Sequence, residues 1–162
     1  MKRLFLTFAL LLAMSGSMNA QQVYYELRQK AKAIVNAPSS NATQKRINQF
    51  KLDALDYLVI KMREEMPDST VTFLDSQAFA LNNFVLYYLQ TLVENDNQPA
   101  AFKEKLIKIF MDASISNPLF YDSDKELVLS YFADGNNLTR FSLDTDWRRA
   151  ILAAHAGLKR LK

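Results

Sequence analysis

From Ser76 to Val93 the sequence carries no charged residue, and Phe84-Val-Leu-Tyr-Tyr-Leu89 inside it is an unbroken apolar and aromatic run. An uncharged segment of that length belongs either in a bilayer or at the centre of a protein. Asn82, Asn83 and Gln90 decide between the two, because three amide side chains are costly in hydrocarbon. Asn83 and Gln90 lie seven residues apart, hence on one narrow side of a helix. The segment, near Leu74 to Glu94, is therefore read as the central helix of a bundle. Phe84, Leu86 and Leu89 are expected to be buried in it, with Asn82 and Asn83 exposed.

The flanking sequence supplies helices to surround it. Beyond residue 20 there are only two glycines, Gly135 and Gly157, and apolar residues recur at spacings of three and four. Helix one is predicted near Val23 to Asn36, with Val23, Leu27, Ala31 and Ile34 on one face, broken by Pro38. Helix two runs near Thr43 to Met66, with Ile47, Phe50, Ala54, Leu58 and Met62 in register and Pro67 at its end. Pro99 opens helix four, near Pro99 to Ser116. Ser123 and Glu126 have the spacing of a capping box for a fifth helix, near Asp124 to Ala133. Asp134-Gly-Asn-Asn137 is the clearest turn. Helix six is placed near Thr145 to Lys159. Trp147, Ile151, His155 and Leu158 form its large face, and Ala150, Ala153, Ala154 and Gly157 a small-residue flank suited to close helix contact. The helix starts show no fixed period, which argues against a solenoid. The fold class expected is all-α: a compact irregular bundle of about six helices.

Residues 1–20 have the layout of a secretory signal peptide. Lys2 and Arg3 precede the apolar stretch Leu4 to Ala13, and a small-residue exit ends at Ala20. Cleavage there leaves residues 21–162 as a single helical domain. It also removes Lys2 and Arg3, so 20 basic residues become 18 against 17 acidic ones, and the net charge falls from +3 to +1. That weakens any case for nucleic-acid binding, which needs concentrated positive charge. A periplasmic or secreted protein is expected, with no integral membrane segment in the mature chain.

The chemistry legible in the sequence is mostly by exclusion. There is no cysteine, hence no disulfide, thiolate nucleophile or cysteine-based zinc site. Two glycines cannot build a P-loop or dinucleotide fingerprint. His155 is the only histidine. A zinc site normally takes two or more imidazoles, and no nucleophile elbow accompanies it. It is read as a buried packing residue, and no metal or cofactor is expected. Asp122-Ser-Asp124-Lys-Glu126 starts like a calcium loop, but the sixth and twelfth positions of that pattern fall on Leu127 and Ala133. Asp144-Thr-Asp146 has the same form. Both pairs sit where a helix is predicted to begin and are read as caps. Arg148, Arg149, Lys159, Arg160 and Lys162 make the C-terminal region basic. Tyr24-Tyr25, Tyr87-Tyr88 and Phe120-Tyr121 are aromatic doublets, with one member of each expected inside. Asn41-Ala-Thr43 and Asn137-Leu-Thr139 match a glycosylation triplet that is common by chance.

The short Lys-containing leader ending Ala-Gln-Gln resembles those of proteins exported by Bacteroidetes-type bacteria. Met62-Arg-Glu-Glu-Met-Pro-Asp-Ser69 and Phe141-Ser-Leu-Asp-Thr-Asp-Trp147 resemble stretches of small uncharacterised helical secreted proteins of that group. The resemblance implies compartment and helical class, and brings no site residues. The function expected is that of a non-catalytic exported domain that binds or supports a protein, peptide or glycan partner. The alternative is a carboxylate-based hydrolase of glycan or peptidoglycan, recognisable by two close acids in a cleft.

Overall fold

A computed structural model describes residues 23–134 and 137–161 of the chain. The proposed leader, residues 1–20, lies outside the described residues. Among the described residues five helices make a bundle: α1 (Val23–Asn36), α2 (Ala42–Glu65), α3 (Val71–Glu94), α4 (Ala100–Ile115) and α5 (Trp147–Leu161). Between α4 and α5 come a single 3-10 turn (Lys125–Leu127) and two antiparallel strands, β1 (Val128–Asp134) and β2 (Asn137–Ser142).

Each helix boundary has a local cause. Asn41 opens α2 through a full capping box, its Oδ1 accepting from Gln44 N at 2.8 Å while Gln44 Oε1 accepts from Asn41 N at 3.0 Å. That occupies the Asn41 side chain in holding the helix end. Thr70 caps α3 and Met66, before Pro67, closes α2.

The predicted fifth helix is not formed. Asp124 Oδ1 accepts from Glu126 N at 2.8 Å and opens only one 3-10 turn, after which the chain enters β1. The register pairs Val128 with Ser142 and Asp134 with Asn137, with an irregularity between Ser130 and Phe132. In β2, Thr139 and Phe141 are buried and Arg140 is exposed, the period-2 pattern of a strand.

The core is an aromatic cluster drawn from four helices and the hairpin. Phe84 of α3 lies 5.5 Å from Phe110 of α4, 5.3 Å from Phe141 of β2 and 5.4 Å from Trp147 of α5, all in edge or tilted contact. Phe50 of α2 reaches Trp147 at 5.9 Å. The central helix is α3, which packs against α1, α2, α4 and α5. Its buried apolar positions are Ala78, Ala80, Leu81, Phe84, Val85 and Tyr88. Leu86 and Leu89 are only half-buried, a correction to the expected set: the inward stripe follows 81, 84, 85 and 88. Asn82 and Asn83 are half-buried rather than exposed, and Asn82 Oδ1 accepts from Lys51 Nζ at 2.8 Å. Burial pushes the Lys51 ammonium down to about 8.

The small flank of α5 does what its composition suggests. Ala150 and Ala154 are buried, and a Cβ on Gly157 would stand 2.7 Å from Ile109 Cγ2 of α4. His155 differs from its expected burial. It is exposed, and its ring stacks on Tyr87 with centroids 4.2 Å apart. The short Ala face, not the His155 edge, is turned inward, because only small side chains let α5 approach α4.

Candidate functional site

The segment before the hairpin is held by carboxylates. Asp144 is buried, and its Oδ1 accepts from Leu119 N at 2.9 Å and Phe120 N at 2.8 Å, its Oδ2 from Asp122 N at 2.8 Å. It therefore gathers a turn instead of capping a helix. Asp122 in turn meets Lys61 Nζ at 3.0 Å and the Tyr57 hydroxyl at 3.3 Å. The Lys61 hydrogen bond, helped by the Asp124 amide, holds the Asp122 carboxyl below its ordinary value. The Tyr57 hydroxyl is pushed up by burial and then by Asp144 and Asp122. Between these anchors Tyr121 takes φ 58° with its ring 74% exposed.

The second acid pair divides its labour. Asp146 is the cap of α5, its Oδ1 accepting from Arg148 N at 3.2 Å and Arg149 N at 3.3 Å. Gln77, almost wholly buried in α3, completes the join. Its Oε1 accepts from Trp147 N at 2.9 Å and its Nε2 donates to Asp146 Oδ1 at 3.0 Å. One amide side chain thus fixes the start of α5 to the second turn of α3. Nothing in the uncharged run marks Gln77 for this task. Its partners lie 69 and 70 residues away.

This join forms the end of an open groove of about 920 Å³ between the N-terminal half of α3 and the first two turns of α5. Phe79 and Ala80 line it from α3, Ile151 and Leu152 from α5. Phe79 is 55% and Leu152 69% exposed, so two large apolar side chains stand in solvent in one concavity. Helical periodicity puts Phe79 on the outer side of α3. It falls opposite the inward stripe, and the signal available is a large apolar residue on the wrong side.

Charge enters the groove only at α5. Arg149 Nε lies 3.3 Å from Asp146 Oδ2, whereas Arg148 is exposed and forms no ion pair among the described residues. These two arginines belong to a different place from Lys159 and Arg160, about 16 Å further along the helix at 1.5 Å per residue. The basic residues grouped in the sequence are therefore two separate features, with Lys162 outside the described residues. Of the aromatic doublets, Tyr24 and Tyr88 are buried, and Tyr25 and Tyr121 are exposed. None of them lines the groove.

Among the described residues no cluster of three acidic or imidazole side chains is arranged to hold a metal ion, and no helix is long and apolar enough to cross a membrane. The only carboxylate lining the groove is Asp146, and both its oxygens already have partners. This chain matches no protein-family model, no curated protein and no solved structure.

Proposed function

We propose that this chain is an exported, non-catalytic helical domain that binds a partner in the groove between α3 and α5. The observation that carries the reading is the pairing of solvent-exposed Phe79 and Leu152 in one concavity. Exposed apolar groups gathered in a groove are more stable covered than wet, at roughly 25 cal/mol per Å² of apolar surface removed from water. A two-carboxylate hydrolase would need a second acid facing Asp146 across this groove, and its lining offers none. Export, to a periplasm or beyond the cell, is part of the proposal. It rests on the signal-like residues 1–20 and on the resemblance to secreted helical proteins of Bacteroidetes-type bacteria.

The test is photocross-linking in the host that makes the protein, with a benzophenone amino acid at position 152 and, as control, at position 121. Both positions are exposed, so the fold should tolerate either label. The expected result is a discrete adduct from position 152 that disappears in Phe79→Asp while the folded yield is unchanged. An adduct equally frequent from position 121, or one indifferent to Phe79→Asp, would overturn the reading.

A further inference from the structure

Building on that docking reading, we infer that the α3–α5 groove takes an acidic peptide segment carrying an apolar anchor, gripped by Phe79 and Leu152 and paired through Arg148. Charge is the first argument. The α3 wall is uncharged from Ser76 to Val93, so it cannot neutralise the arginines opposite. Asp146 is already committed: Gln77 Nε2 and the amides of Arg148 and Arg149 donate to its Oδ1, and Arg149 Nε faces its Oδ2. Arg148 is exposed, and its guanidinium forms no ion pair among the described residues. A planar guanidinium at the lip of an apolar concavity is suited to a carboxylate.

Hydrogen-bonding capacity is the second argument, and it favours a peptide over a lipid. Asn83 lines the groove, is half-buried, and makes no hydrogen bond among the described residues. A carboxamide has donors and an acceptor to offer, which matches a peptide backbone and has no counterpart in an acyl chain. Ser76 lies along the same wall and donates to Phe73 O at 2.8 Å, leaving its oxygen as an acceptor. Phe79 and Leu152 line a concave surface instead of projecting from a tip, the shape that holds a side chain.

The experiment is selection of a phage-displayed library of random dodecapeptides on the purified protein, followed by fluorescence anisotropy of the enriched peptides. Each peptide is compared with versions in which every Asp and Glu becomes Gln or Lys. Enriched peptides should carry Asp or Glu near a Leu, Phe or Met. Their affinity should fall about two- to fivefold in Arg148→Gln and with added salt, the range of a solvent-exposed ion pair. Leu152→Asp should weaken every one of them at least about tenfold. Two failures differ in meaning. If enriched peptides need Leu152 but bind equally well as their Gln or Lys versions, the acidic assignment is wrong and the groove stands as a docking site. If no peptide distinguishes the wild type from Leu152→Asp, the docking reading falls with it. Phosphatidylglycerol vesicles form the remaining arm. Arg148-dependent vesicle binding without any acidic peptide preference would overturn the peptide in favour of a lipid headgroup.

Discussion

Tyr121 occupies a backbone region that L-residues enter at a cost of about 1–2 kcal/mol, and its exposed ring recovers little of that by packing. The turn exists because Asp144 accepts from Leu119, Phe120 and Asp122, while Lys61 holds Asp122. Those bonds fix the backbone whatever side chain stands at 121. Tyr121→Gly should therefore leave stability unchanged or raise it by up to about 1 kcal/mol, with relief of strain offset by glycine's larger unfolded entropy. Tyr121→Val should lower it by about 1 kcal/mol or more, since a β-branched residue suits a positive φ worst. Thermal melts of the two variants check the ordering. If the valine variant melted no lower than the glycine one, the turn would not hold the conformation described. The same carboxylates show why sequence spacing misled: Asp144-Thr-Asp146 contains one real helix cap, Asp146. The backbone amides that Asp144 serves come from more than twenty residues earlier, beyond the reach of any local pattern.

At the scale of elements, α1 to α5 were legible because each has an apolar stripe and a recognisable stop. The hairpin was not, although Asp134-Gly-Asn-Asn137 was seen as a turn. Val128-Leu-Ser-Tyr-Phe before it and Leu138-Thr-Arg-Phe141 after it are rich in branched and aromatic residues, which favour strands. Ser123 and Glu126 have capping-box spacing, but Asp124 opens only a single 3-10 turn before the strand begins. The α4–α5 contact is where composition and packing agree most closely. Helix propensity favours Gly157→Ala by about 1 kcal/mol, but the new Cβ would press on Ile109 Cγ2, and such overpacking costs about 1–3 kcal/mol. We expect a net loss of about 1 kcal/mol by chemical denaturation. Combining Gly157→Ala with Ile109→Ala should remove the clash, so the pair should lose less than the sum of the singles. Strict additivity would place the two helices further apart than described.

For the whole molecule, pH dependence just above neutrality should be governed by Lys51. Its ammonium titrates near 8 in the folded state against an ordinary 10.5, so the unfolded chain binds more protons between those values. The Lys51 contribution should therefore raise stability as pH increases from about 8 to about 9.5, as its charge is lost from the native state first; nearer 10 the raised hydroxyls of Tyr24, Tyr57 and Tyr87 keep protons that the unfolded chain sheds, and stability turns down. Lys51→Met should raise stability at pH 7 by about 1–2 kcal/mol and flatten that rise. A wild-type stability that falls monotonically across this interval would contradict the buried amine. The groove was the least legible part of the molecule. Arg148 and Arg149 were visible as basic residues, but Gln77, Phe79 and Asn83 acquire meaning only when α5 lies beside α3. That arrangement also sets a timetable. Trp147, fully buried against Phe50 and Phe84, reaches its place only when α5 docks on the other helices. Until then the aromatic centre has an open side, and the amide of Gln77 has no helix end to hold. The bundle is therefore locked by α5: the elements around it can collapse before it docks, but a unique native packing waits for that helix.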